Sequence, residues 1–177
     1  MRAEQRIGLV QIYTGDGKGK TTAALGLALR AAGWGLKTYI GQFMKGRDYG
    51  ELEAVRVLAP LITIEQFGRN AFVHVKEGTP EDRKAAQEGL QAARTAMETG
   101  EYDIVVLDEI NVALFFRLLT VEEVLDVMNA RPSHVELILT GRRVPQKLIE
   151  QADLVTEMRE VKHPYQKGIS ARRGIEY

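Results

Sequence analysis

The chain has 177 residues, 45% hydrophobic and 27% charged, with 24 basic and 24 acidic side chains in balance. That composition fits one domain with a sizeable core, argues against disorder and leaves no broad cationic footprint for nucleic acid. The absence of cysteine excludes disulfides, thiolate zinc sites and a cysteine nucleophile. Met1–Arg6 lacks the apolar core of a signal peptide, and no apolar run approaches the roughly 18 residues of a membrane span, so the chain reads as cytoplasmic.

Apolar strand-like runs alternate with helical patterns, as in a mostly parallel sheet with helices on both faces, and residues 1–177 read as one domain without internal repeats. Ile7–Tyr13 is the first strand. A helix from Thr21 to about Ala32 ends at Gly33-Trp34-Gly35, where glycine can take the left-handed cap and Trp34 reads as a packing residue. Lys37–Phe43 is a second strand, Tyr49–Leu58 a short helix stopped before Pro60, and Leu61–Phe67 a third strand. Gly68–Gly78 has no period and reads as a loop.

The next helix opens with Thr79 as cap, Pro80 in the first turn and Asp82 three residues after the cap, and its inner face runs Ala86, Leu90, Ala93, Met97. Asp103–Asp108 is a fourth, buried strand. Thr120 with Glu123 forms a second capping box, and Val121, Val124, Leu125 and Met128 supply that helix's apolar stripe. Val135–Thr140 is the fifth strand, Val144–Gln151 a short helix and Leu154–Arg159 a last strand. The tail, 160–177, is polar and basic and is expected to pack on or near the ligand edge of the sheet.

The most informative stretch is Thr14-Gly15-Asp16-Gly17-Lys18-Gly19-Lys20-Thr21-Thr22, between the first strand and the first helix. Gly15, Gly17 and Gly19 let the backbone curl so that successive N–H groups face one anion, and the helix adds its positive dipole end. Lys20 supplies a cation, and the Thr21 hydroxyl suits a magnesium ion. The strict eight-residue pattern has glycine where this chain has Thr14, so the match is a close variant of the phosphate-binding loop.

A second element complements it. The strand Ile104–Leu107 delivers Asp108 and Glu109 at its carboxyl end, the edge where ligands bind in doubly wound sheets, and either carboxylate is placed to hold Mg²⁺ directly or through water. Arg142, in Thr140-Gly141-Arg142-Arg143 at the same edge, can reach phosphate oxygens with its planar fork, and Arg143 less so. Phe72 lies in the long loop after the third strand and reads either as a lid for a flat ligand or as a core residue. His74, His134 and His163 lack metal-ligand spacing and read as structural, although Lys162-His163-Pro164 is placed to approach bound phosphates.

Taken in order, these stretches together with Leu107-Asp-Glu-Ile-Asn111, Ala152-Asp-Leu-Val-Thr-Glu-Met158, Val161-Lys-His-Pro164 and the ending Gly174-Ile-Glu-Tyr177 are similar to the cob(I)alamin adenosyltransferases of the P-loop type, from Leu9 to Tyr177. The resemblance implies a RecA-like P-loop NTPase fold, a homodimer, ATP with Mg²⁺, and transfer of the adenosyl group to a reduced corrinoid with release of triphosphate. It implies that Gly15, Asp16, Gly17, Lys18, Gly19, Lys20, Thr21 and Thr22 bind the triphosphate, with the nucleotide reversed relative to ordinary ATPases. Thr21 and Glu109, with Asp108, would hold the metal, Arg142 would assist the phosphates, and Phe72 would face the corrin. A flavoprotein reductant for the cobalt is the implied partner. Two departures stand out: only six residues precede the first strand, where family members often carry an extension over the site, and Phe72 is followed by Val73 where some members have a second aromatic.

The residues suit that chemistry. Cob(I)alamin is already a strong nucleophile, so the protein must position the 5′-carbon and stabilise the departing triphosphate, and no activated serine or cysteine is needed. The alternatives are a P-loop ATPase, which would release orthophosphate, and a nucleotide-dependent phosphotransferase; the thymidine-kinase type typically carries a cysteine zinc site, which this chain cannot form.

The two loop lysines are not equivalent. At ~4 Å and an effective dielectric near 20, a lysine on the phosphates is worth roughly 4 kcal/mol, against about 0–1 kcal/mol for a solvated one. Lys20→Ala is therefore expected to cripple ATP binding and Lys18→Ala to weaken it mildly. Calorimetric titration of both variants checks this, and equal losses would contradict it.

Overall fold

The computed structural model describes residues 7–69 and 78–177. Among these, six strands form one all-parallel sheet: β1 (Val10–Thr14), β2 (Thr38–Phe43), β3 (Ile62–Phe67), β4 (Ile104–Asp108), β5 (Glu136–Thr140) and β6 (Leu154–Glu157), in the spatial order β3-β2-β4-β5-β1-β6. The helices are α1 (Lys20–Ala32), α2 (Gly50–Leu58), α3 (Pro80–Glu98), α4 (Ile110–Phe115), α5 (Val121–Ala130) and α6 (Gln146–Gln151), followed by a 3₁₀ turn at Pro164–Lys167. This is the α/β architecture expected of a single-domain P-loop NTPase-like fold. Among the described residues no helix is long and apolar enough to cross a membrane.

The alternation of side chains along each strand divides the core in two. Tyr39, Val105, Leu137 and Val10 lie side by side on adjacent strands and pack with Ala86, Leu90, Ala93 and Met97 of α3 and Val124, Val127 and Met128 of α5. One residue along, Ile40, Val106 and Ile138 point to the other face and meet Ala24, Ala28 and Ala31 of α1. With both faces covered, the central strands read as unbroken apolar runs, the pattern of a buried parallel sheet. The small alanine face of α1 lets that helix lie close to the sheet, which fixes the loop preceding it.

Both capping boxes form: Thr79 with Asp82 starts α3, and Thr120 with Glu123 starts α5. Arg69 adds to the first of these, its guanidinium donating to both Asp82 carboxylate oxygens at 2.8 and 2.9 Å and to the Thr79 hydroxyl at 2.9 Å. Asp82 is 7% exposed, and the hydrogen bonds from Arg69 hold its carboxyl below the usual aspartate range despite its burial.

The left-handed glycine expected in the turn after α1 is Gly35 (φ 75°), Gly33 being right-handed (φ −61°). Several sequence expectations need correction. Trp34 does not pack: it is 85% exposed. The strands are shorter at their ends, β1 beginning at Val10, β4 at Ile104 and β6 ending at Glu157, and α6 begins at Gln146. Helix α4 was not anticipated. It is six residues long, has no side-chain cap, and buries Ile110, Asn111, Ala113 and Leu114 around its circumference, so it shows neither an end signal nor an amphipathic stripe. Phe72 lies outside the described residues.

Gly89 of α3 lies against the aromatic side chains of β2 and β3. A Cβ there would sit 2.7 Å from Cγ of Phe67 and 3.0 Å from Cε1 of Phe43. Alanine in a helix interior normally gains about 0.5–1 kcal/mol over glycine, but overpacking a core costs about 1–3 kcal/mol. Gly89→Ala is therefore expected to destabilise by about 1–2 kcal/mol. Urea unfolding measures it, and an unchanged or higher midpoint would refute this packing account.

Candidate functional site

The first βα turn is built around glycines because neighbouring backbone fills the space a side chain would take. Gly15 (φ 94°) and Gly19 (φ 121°) have the positive φ that L side chains avoid. A Cβ on Gly15 or Gly17 would lie 2.4 or 2.7 Å from the Met158 carbonyl oxygen, in the chain just past β6, and the Gly17 amide donates to that same oxygen at 2.7 Å. The loop is thus stapled to the β6 edge. Helix α1 begins directly afterwards with no side-chain cap and no acidic residue in its first turn, so its positive end is not neutralised locally.

Lys20, the first residue of α1, is 7% exposed and folds back over the loop, its ammonium donating to the carbonyls of Gly15 and Gly17 at 2.7 Å each. Burial lowers its pKa, and Glu109 acts in the opposite direction. Lys18 turns the other way. Its ammonium donates to the carbonyl of Ile175 at 2.8 Å and to Glu176 at 3.0 Å. The two lysines that alternate in sequence thus serve different surfaces, one the loop interior and the other the C-terminal tail. Glu176 is also held by Arg172, and these hydrogen bonds bring its carboxyl down to about 2.

Asp108 ends β4 on the same sheet face as Ile104 and Val106, the face that α1 covers. It is fully buried. Its Oδ1 accepts from the hydroxyls of Thr21 and Thr140, both at 2.8 Å, and its Oδ2 accepts from Lys45 at 2.8 Å and Gln42 at 3.3 Å. Gln42 in turn accepts from Gln66 at 3.1 Å, so Gln66, Gln42 and Asp108, paired across β3, β2 and β4, form one polar row. Burial disfavours the Lys45 ammonium, but the charge and hydrogen bond of Asp108 outweigh it and raise the lysine pKa.

Glu109 leaves the strand alternation altogether. Its backbone is left-handed (φ 65°), with its amide donating to Thr140 Oγ1 at 2.9 Å. Met44, immediately after β2, takes the same unusual conformation (φ 58°), and Arg143, three residues past β5, does too (φ 57°). Non-glycine residues held at positive φ cost energy and concentrate at working sites. Here they turn the chain just beyond adjacent strands of one sheet edge. Burial, then the neighbouring Asp108 charge, raises the Glu109 pKa.

These groups border one cavity of about 550 Å³, lined by residues 17–22, Lys45, Tyr49, Glu109 and Arg142 and by His163 and residues 174–177 of the tail. Gly15 and Asp16 stand outside that lining. Asp16 lies 3.8 Å from Arg142, both exposed. Arg143 is directed elsewhere, its guanidinium 4.1 Å above the Phe115 ring. Of the residues predicted from sequence, the structure brings Gly17, Lys18, Gly19, Lys20, Thr21, Thr22, Glu109 and Arg142 to one cavity, with Asp108 buried beneath it. The oxygen donors Thr21, Asp108 and Glu109 suit a hard ion such as Mg²⁺. Among the described residues no group of three or more His, Asp or Glu could hold a metal ion.

Sequence reasoning missed Lys45, Gln42, Thr140 as a clamp on Asp108, and Tyr49. A usable signal existed, since Gln42-Phe43-Met44-Lys45 runs off the carboxyl end of β2, beside β4.

The chain is 36% identical to a corrinoid adenosyltransferase of Escherichia coli strain K12 and to the corrinoid adenosyltransferase CobA of Salmonella typhimurium, in each case over 99% of this chain and 89% of the relative. It is 40% identical to an uncharacterised protein of Nostoc sp. over 93% of this chain, and spans about half, 47%, of that protein's length. The family model ATP:corrinoid adenosyltransferase BtuR/CobO/CobP matches residues 6–177. With that model spanning nearly the whole chain and the two corrinoid adenosyltransferases matched almost end to end, the chain belongs to the BtuR/CobO/CobP family of ATP:corrinoid adenosyltransferases.

Proposed function

We propose that this chain transfers the 5′-deoxyadenosyl group of ATP to the cobalt of a reduced corrinoid, cob(I)alamin or cob(I)yrinic acid a,c-diamide. An electron pair on cobalt forms the bond to the 5′-carbon while the carbon–oxygen bond to the triphosphate breaks, and triphosphate leaves with the electrons of that broken bond. The observation that carries this reading is the single cavity in which the glycine-rich turn with Lys20, Glu109 and Arg142 face one another.

In this reading the backbone amides of the turn, the α1 dipole and the Lys20 ammonium hold the triphosphate, and Arg142 adds a planar cation at its rim. Lys20 already lies folded over the loop interior, so little ordering remains when the anion arrives. A magnesium ion held by Thr21 and Glu109, near Asp108, would neutralise charge building on the departing phosphates. The tail, tied to the turn through Lys18 and Glu176, walls the cavity and helps position the nucleoside. Phe72 would face the corrin ring. A homodimer in the cytoplasm, fed reduced corrinoid by a flavoprotein, completes the proposal.

Supplying ATP, Mg²⁺ and chemically reduced corrinoid is expected to give the absorbance of a new cobalt–carbon bond with stoichiometric triphosphate. Orthophosphate in its place would turn the reading toward an ATPase. Under the same conditions Glu109→Gln is expected to raise the Mg²⁺ concentration for half-maximal rate about 10-fold or more, the scale of losing one charged ligand. An unchanged magnesium requirement would remove Glu109 from the metal.

A further inference from the structure

A carboxylate offers about four lone-pair sites, and at Asp108 all four are taken: two hydroxyls on Oδ1, and Lys45 and Gln42 on Oδ2. Three of these donors are neutral. The fourth, Lys45, brings a full positive charge 2.8 Å from Oδ2 on a side chain only 14% exposed. Its ammonium has a second carboxylate within reach, Glu51 Oε1 at 3.8 Å, and the Tyr49 ring centroid 5.2 Å away. Thr21, Thr140 and Gln42 are fixed by α1, β5 and β2, whereas Lys45 sits on a flexible stem beyond the left-handed turn at Met44.

We propose that Lys45 is a tethered cation that competes with the divalent ion for Asp108: metal engages Asp108 only as the lysine ammonium yields Oδ2 and moves toward Glu51. The residue would thereby make metal entry depend on nucleotide, because free metal alone must displace a bound ammonium whereas metal carried on a triphosphate brings its own anionic ligands. Two cations on one oxygen repel strongly in a buried setting, which makes the exchange exclusive. Lys45 is a positioning residue in this scheme, and Glu51 is its alternative seat. The inference rests on the proposed metal site and assigns a further role within it.

Mn²⁺ binding to the full chain without nucleotide, followed by loss of the free-ion electron paramagnetic resonance signal, tests it apart from activity. Lys45→Met is expected to bind free Mn²⁺ at least about 10-fold tighter than the parent chain, because a competing cation is removed. Glu51→Gln keeps the acceptor for Gln42 (3.1 Å) but deprives the ammonium of its second anion, and is expected to bind free Mn²⁺ more weakly. A lysine with a merely structural role would lose affinity on substitution, not gain it. Unchanged or weakened Mn²⁺ binding by a folded Lys45→Met protein overturns the proposal. If that variant does not fold, unchanged binding by Glu51→Gln overturns it independently. Failure of the parent chain to bind Mn²⁺ together with ATP would remove the metal site itself and this inference with it, whereas normal binding of Mn²⁺ with ATP beside unresponsive variants would sink the inference alone.

Discussion

The buried carboxylate of Asp108 is the point on which the site depends. Four donors from three separate chain segments converge on it: Thr21 from the start of α1, Gln42 and Lys45 from β2 and the turn after it, and Thr140 from the end of β5. A charge removed from water costs several kcal/mol unless paired and fully hydrogen-bonded, and breaking such a set by deleting one partner typically costs about 3–5 kcal/mol. The sheet therefore closes at this edge only when β2, β4, β5 and α1 are in correct register. The same arrangement that satisfies the carboxylate aims the Thr21 hydroxyl, the Glu109 turn and the phosphate-binding loop into one cavity.

Around that anchor, rigid and movable parts are separated. The glycine-rich turn is pinned on one side by the Met158 carbonyl and on the other by α1 lying against the sheet through its alanine face. Glu109 and Arg142 project from turns at the strand ends. The tail is tied to the turn by exposed contacts of Lys18 with Glu176 and with the Ile175 carbonyl. Exposed ion pairs are individually weak, about 0–1 kcal/mol.

A fold of this kind supports hydrolysis, phosphoryl transfer and group transfer alike, so the reaction has to be argued from the site. The chain has no cysteine, and the cavity presents cations and backbone amides together with the carboxylates of Glu51, Glu109 and Glu176. Such a surface is adapted to stabilising a polyphosphate as it departs. That division of labour suits a reaction whose nucleophile is supplied by the second substrate.

Much of this was legible in the sequence because it depends on local rules. Gly15, Gly17 and Gly19 before Lys20 specify a turn that only small residues can make; Thr79 with Asp82 and Thr120 with Glu123 announce helix starts; and the apolar run 104–107 followed by two acids names a buried strand with a polar end. The strand alternation also fixed which face Asp108 shares with Ile104 and Val106. Other features had no local signal. Helix α4, buried around its circumference, has neither cap nor stripe, and the exposure of Trp34 depends on what lies opposite it. The partition of Lys18 and Lys20 between tail and loop, and the arrival of Lys45 and Thr140 at Asp108 from 63 and 32 residues away, were decided by tertiary structure alone. Spacing along a chain encodes the torsions and faces of one element, whereas the order of parallel strands, which sets the neighbours of a buried charge, follows from how all the elements cover the sheet together.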